Sequence, residues 1–467
     1  MLGSQLFQLI KSLNKHDMRE LRKVVRSPYF NQREDVIQLF DLIDKTINSK
    51  QPNFSKEKVF ELLFPNKKFD DILMRQIMSY LMKTIEKYLI TEGVFQNDYE
   101  SELQLIHALI LRNADKIIEK NFEEFEKSIN HRLNKNAQYH YYRYRILIEE
   151  YEYRSKKKRS NEVNLQDLSN ELDSFYLSET LRQASILNAH QTISNVVYKQ
   201  PMLNHVLQRV QESEESIPSI SAYYYTYKML IEPENSSHFE NLSNFIINQG
   251  STFPENEIRD LHIFAINYCI KKLNKGDKKF GIEALKIYQT QIDNGFLLNN
   301  GIIPPYDYNN ILILAIKSEQ YDWAENFIHE FKQYLPEKDR ENIYNYNLAL
   351  FYFRKGKQHY GDAMSLLQIV NLTDVLYNLD ARRLLAIIYF EHNDFQALQS
   401  HIESSKIYLH RHKDIGYHHD MYVNFFRFLE KIQKINMRDT KAKEILRGEM
   451  TGTQLLAERD WLINKLN

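Results

Sequence analysis

A chain of 467 residues with 43% hydrophobic and 26% charged side chains can fold, but is too long for one ordinary core, so two to four packing units are expected. The formal net charge of −1 excludes a whole-molecule field that would draw the protein to nucleic acid or an anionic membrane. Twelve glycines and ten prolines are too few for a strand-and-turn architecture or glycine-rich nucleotide loops, and one cysteine, Cys269, cannot form an internal disulfide.

The N-terminal stretch reads as a compact helical domain over residues 1–95. Leu6, Leu9, Ile10 and Leu13 lie on one helical face, and Met1 to Lys15 has no apolar run long enough for a secretory signal. A short second helix opens at His16-Asp17 and stops at Ser27-Pro28, because proline disfavours helical backbone in the residue before it. Val36, Phe40 and Ile43 mark a third helix. Ser55 is the expected N-cap of a fourth, ending at Pro65, and a long fifth helix runs from about Asp70 to Ile90. The last two suggest two helices of a winged-helix module, with Lys67, Lys68, Arg75, Lys83 and Lys87 as phosphate contacts, although no wing-forming strand is evident.

Residues 96–250 read as a long-helix bundle or irregular helical repeats. Helices are expected over Ile117–Ile129 and Tyr139–Tyr153, then a basic loop Lys156-Lys157-Lys158-Arg159, then further helices between Leu165 and Val197. Tyr139, Tyr141, Tyr142, Arg143, Tyr144 and Arg145 interleave aromatic and basic groups. They can stack bases and neutralise phosphates, or pack between neighbouring helices with the tyrosine hydroxyls in water. Tyr223, Tyr224, Tyr225 and Tyr227 cannot all face one core, so they form a partner anchor or a helix buried on two sides.

Period appears in residues 251–467. Ala284, Ala324, Ala363 and Leu398 occupy comparable positions 40, 39 and 35 residues apart, where small side chains let helices approach closely. Leu348-Ala349-x-x-Tyr352 followed by Ala363 and Leu367, and Leu385-Ala386-x-x-Tyr389 followed by Asp394-Phe395, Leu398 and Ile402, give two helix pairs. Ala324, Ile328 and Pro336 give the second helix of a third. Over about Pro305 to Leu409 this resembles a tetratricopeptide-like helical-repeat protein; the N-terminal half resembles no family identified from its residues. The sequence departs from the pattern at Asn345 and Arg382, where tryptophan is usual, at Leu398 in an alanine position, and at an extra Gln358-His359. The resemblance implies an α-solenoid with a C-terminal capping helix and a groove that binds a peptide or protein.

Chemical motifs are scarce. No G-x-S-x-G, H-E-x-x-H, Walker or G-x-G-x-x-G pattern occurs, so no catalytic residue and no cofactor is assigned. His410, His412, His418 and His419 with Asp414 and Asp420 carry metal-ligand chemistry, and His410 with Asp414 has the i,i+4 spacing of a helical metal site, but the group reads as a solvated inter-helix turn and no metal is assigned.

The expectation is an all-α protein, soluble and cytoplasmic: a helical N-terminal domain followed by a solenoid of tetratricopeptide-like helix pairs. Its expected function is non-enzymatic binding of a partner protein segment in the solenoid groove, through Tyr308, Asn309, Tyr344 and Asn345. Asparagine offers a donor and an acceptor to an extended backbone, and tyrosine adds apolar area. The alternative is a nucleic-acid-associated regulator using the basic N-terminal helices or the Tyr/Arg helix. No stretch approaches the roughly 20 apolar residues of a membrane span, and the partner's identity and the oligomeric state are not legible.

Overall fold

The architecture comes from a computed structural model that describes residues 3–47, 55–131, 134–157, 165–194, 196–213, 217–436 and 438–466. Helix is the regular structure of the described residues, and an isolated bridge between Asn299 and Ile302 is their one β-type pairing. The chain divides into two compact units, Met1–Tyr176 and Leu177–Asn467.

The first unit opens with α1 (Gln5–Ser12), α2 (Lys15–Arg26), α3 (Glu34–Ile47), α4 (Lys56–Leu63) and α5 (Asp71–Phe95). Local chemistry sets these boundaries. Asn14 and Asp17 form a reciprocal capping box that starts α2 at Lys15, one residue before His16-Asp17. Ser55 accepts from the Lys58 amide to start α4, as the sequence indicated. Helix α5 is the hub: Met74, Ile77, Leu81, Ile85 and Tyr88 form one fully buried stripe, and α1 to α4 all pack on it. Each such side chain contributes about 1.5–3 kcal/mol by leaving water.

A separate core begins with Leu103. It is shared by α6 (Asp98–Leu111), α7 (Asp115–His131) and α8 (Ala137–Lys157), with Ile118, Phe122 and Phe125 at its centre. Between Leu165 and Ser194, where several helices were expected, the chain forms one 30-residue helix, α9.

In the second unit, α10 (Leu203–Glu212) precedes five helix pairs. They are α11 (Pro218–Ile231) with α12 (Ser236–Gln249), α13 (Glu255–Asn274) with α14 (Lys279–Asp293), and α15 (Pro305–Lys317) with α16 (Tyr321–Phe331). Next come α17 (Arg340–Lys355) with α18 (Tyr360–Ile369) and α19 (Val375–Glu391) with α20 (Phe395–Arg411), then α21 (Tyr417–Lys434), α22 (Thr440–Gly452) and α23 (Arg459–Asn464). First members stack on first members, α15 on α17, α17 on α19 and α19 on α21, which makes this unit an α-solenoid. Its core runs without a break from Leu181 to Leu466, so the pairing begins before 250, where the sequence suggested a border.

Two features let the pairs close. Ala284, Ala324, Ala363 and Leu398 in the second helices, and Ala349 and Ala386 in the first, have no exposed surface. Four first helices are followed by a left-handed residue that reverses the chain: Gly276, Glu319, Gly356 and Asn393.

Candidate functional site

The row of first helices encloses a cavity of ≈ 460 Å³. Each helix contributes one stripe at three- or four-residue spacing: Tyr306, Asn309 and Ile313 from α15, Tyr346, Leu350 and Arg354 from α17, and Tyr377, Asp380 and Arg383 from α19. Tyr422 of α21 completes one side.

Its floor is a bonded charge network. Arg383 donates to Asp380 Oδ1 from Nε at 2.9 Å and from Nη2 at 2.7 Å, Tyr346 Oη donates to Asp380 Oδ2 at 2.6 Å, and Tyr422 Oη donates to Oδ1 at 3.3 Å. The remaining Arg383 nitrogen, Nη1, donates to Glu458 Oε1. Burial alone pushes Asp380 up, but the Arg383 charge and the three donors outweigh it and hold the carboxyl below its ordinary range. Glu458 sits in the left-handed region at φ 51°, immediately before α23, so a strained turn delivers this carboxylate to the floor.

The walls are aromatic. The Tyr306 and Tyr377 rings lie 5.5 Å apart, and the Tyr346 ring meets Tyr377 edge-on at 5.2 Å. Their hydroxyls are occupied: Tyr306 donates to Asp374 Oδ2 at 3.0 Å, Tyr377 to the Pro305 carbonyl at 3.2 Å, and Tyr346 to Asp380. The cavity therefore presents ring surface rather than phenol. Asn309 lines the cavity, with its Oδ1 buried and without a hydrogen-bond partner. Two basic residues line it as well. Lys317 is exposed and makes no ion pair among the described residues, while Arg354 reaches only to 3.7 Å from a Glu458 already bonded to Arg383.

Of the four residues singled out from sequence, Asn309 alone lines this cavity. Tyr308 is fully buried and donates to the Ile328 carbonyl at 2.6 Å, joining α15 to α16. Tyr344 meets His329 Nδ1 at 2.9 Å, with Lys332 over its ring at 4.0 Å, and so also faces α16. Asn345 is half-buried and outside the lining. On α17 the cavity-facing stripe begins at Tyr346, one position after Asn345. What sequence reasoning missed was Asp380 and Arg383, a charged i, i+3 pair inside the apolar run from Leu379 to Ile388; such a pair signals an internal ion bridge.

The other sequence candidates resolve into packing. On α8, Tyr139, Tyr142 and Tyr153 are core residues. Its arginines are paired: Arg143 with Glu126 and Glu171, Arg145 with Glu100, and Arg154 with Glu119 and Glu150. Lys157 bonds Asp115, while Lys158 and Arg159 lie outside the described residues. Tyr223 is buried and donates to Glu257 at 2.6 Å, whereas Tyr224, Tyr225 and Tyr227 are half-buried against the same core. Arg75 and Lys56 both bond Asp71, and Lys67 covers the Phe64 ring. Cys269 is buried, and burial pushes its thiol far up, which disfavours the reactive thiolate. Among the described residues, the histidines between His410 and His419 do not gather with carboxylates into a group of three able to hold a metal ion. No helix of the described residues is long and apolar enough to cross a membrane.

Comparison with known proteins identifies no relative: no family model matches the chain, and neither does any curated protein or solved structure. The tetratricopeptide resemblance therefore rests on the quoted residues alone.

Proposed function

We propose that this protein acts by binding rather than by catalysis, holding a segment of a partner protein against the first-helix face of its second unit. One observation carries the reading: the ≈ 460 Å³ cavity between α15, α17, α19 and α21 joins apolar and ring surface to the exposed basic residues Lys317 and Arg354. A concave, mostly apolar site with a few oriented polar groups is the usual form of a recognition pocket. The charge network supports the reading too, because Asp380 and Glu458 are tied to Arg383 and serve to fix the floor. The ring surfaces, Lys317 and Arg354 are left to face an incoming chain.

Photo-crosslinking in the native cell tests this. A photoreactive residue at Ile313, inside the cavity, is expected to capture one dominant protein, with crosslinks clustered in a short segment of it. The same residue at Glu403, on the exposed outer side of α20, is the control. Equal, diffuse capture from both positions would remove the cavity as the binding surface.

A further inference from the structure

A second cavity, of ≈ 230 Å³, lies one helix pair earlier, lined by α13, α14, α15 and the residues that join α14 to α15. Its lining includes an aliphatic stripe: Ile263, Ile266 and Ile270 stand at three- and four-residue spacing on α13. Helix α15 contributes the carboxylate of Asp307. Asp307 stands in the first turn of that helix, yet it caps no backbone amide and makes no ion pair among the described residues. Tyr288 Oη donates to its Oδ1 at 3.4 Å, while Oδ2 accepts from no group among the described residues and keeps accessible surface. Burial pushes this carboxyl above its ordinary range, with only the Tyr288 hydroxyl to oppose it. Arg259, the one cation of the lining, is already engaged. Its Nε donates to the Phe296 carbonyl at 3.0 Å, and its Nη2 to the Leu298 carbonyl and the Glu255 carboxylate.

These features select a ligand. A half-buried carboxylate with an open oxygen calls for a positive charge that carries an N–H. With Oδ1 bonded to Tyr288, one oxygen is left, which suits the point charge of an ammonium rather than the two-pronged guanidinium. A calcium ion needs about six to eight oxygens, and the isoleucine stripe offers none; it covers methylene groups instead. The cavity is also smaller than the roughly 300 Å³ at which pockets for drug-sized molecules begin, and so fits one side chain. We propose that it binds an alkylammonium group, the side chain of a lysine or a free alkylamine, with the nitrogen on Asp307 Oδ2 and the methylenes along the isoleucine stripe. The inference stands apart from the binding function proposed above, because the two cavities share no lining residue.

Saturation-transfer NMR on the full chain tests it, with acetyl-lysine methylamide and n-butylamine as probes. Both are expected to show saturable transfer to their methylene protons. Acetyl-norleucine methylamide, which keeps the four-carbon chain without the nitrogen, is expected to bind about tenfold more weakly than the lysine probe. Tighter binding of the lysine probe supports a site for a polypeptide, and tighter binding of butylamine supports a site for a small amine. Asp307→Asn keeps the shape of the side chain and an acceptor for Tyr288. It is expected to erase the preference over norleucine without lowering the melting temperature, since it removes a buried charge that nothing pairs. Ile263→Ser, at an exposed position of the stripe, is expected to weaken both probes. If Asp307→Asn fails to fold, the lysine and norleucine comparison on the parent chain, its loss at high salt and the Ile263→Ser result still decide. No transfer at millimolar probe, equal binding of the lysine and norleucine probes, or an unchanged preference in Asp307→Asn overturns the site.

Discussion

At the scale of single residues, the molecule keeps several polar groups in places that only folding can stabilise. His262 is 1% exposed, and burial pushes its imidazole down to about 4. The unfolded chain binds a proton near pH 6.5 and the folded one does not, so stability rises with pH between these values. The contribution of a neutral, buried His262 is complete above about pH 6.5 and is lost as pH falls toward about 4, at a cost of about 3 kcal/mol. Urea denaturation across that window is expected to show the loss in the parent chain and a flatter profile in His262→Leu. The opposite case is Glu391, which bonds Lys357, Lys465 and the Trp461 indole. Burial raises it, but those partners prevail and bring it to about 2. Its share of stability is present above the ordinary glutamate pKa and disappears only as pH falls toward 2, with a size on the order of 1–2 kcal/mol after solvent screening.

At the scale of elements, the helix-pair junctions make the sharpest predictions. Glu319 holds φ 60° in the turn between α15 and α16, a region where a Cβ is disfavoured. Glu319→Gly is expected to raise stability by about 1 kcal/mol in chemical denaturation, since the side chain is exposed and only the backbone changes its preference. Ala349 and Ala386 are fully buried in α17 and α19, so Leu at either position overpacks a close helix contact and should destabilise by about 1–3 kcal/mol. Variants that denature like the parent would contradict the close packing at these junctions. The elements themselves were largely legible, because 3.6-residue periodicity and caps such as Ser55 are local signals. The candidate site was less so. Tyr308 and Asn309 are neighbours in sequence, yet one bonds Ile328 in the core and the other lines the cavity. A rotation of 100° per residue separates these fates, and only the packing of α16 and α17 around α15 decides which residue faces which way. Glu458 was invisible for a different reason: it reaches Arg383 across 75 residues through a turn whose backbone strain no pattern announces.

At the scale of the whole molecule, the apolar interior is not one body. The residues around α5, those around α7 and those from Leu181 to Leu466 form three separate clusters. Calorimetry of the intact chain is therefore expected to resolve more than one unfolding transition. A single transition with equal calorimetric and van't Hoff enthalpies would mean that the units unfold as one. The solenoid core, by contrast, is continuous through five pairs, so destabilising any one pair should lower the solenoid's whole transition rather than split it.

The bond between Arg383 and Glu458 has a consequence that reaches beyond the cavity floor. It fastens the chain just before α23 to the same guanidinium that orients Asp380. Occupancy of the cavity and docking of the C-terminal segment thus share a term in their free energies, and whatever strengthens one must strengthen or weaken the other by the same factor. A ligand that leaves this bond intact and excludes water from it slows hydrogen exchange in α23, while one that draws Arg354 and Arg383 toward itself hastens it. The last helix is in this sense a built-in reporter: its amide exchange rates register the state of a site formed by α15, α17, α19 and α21.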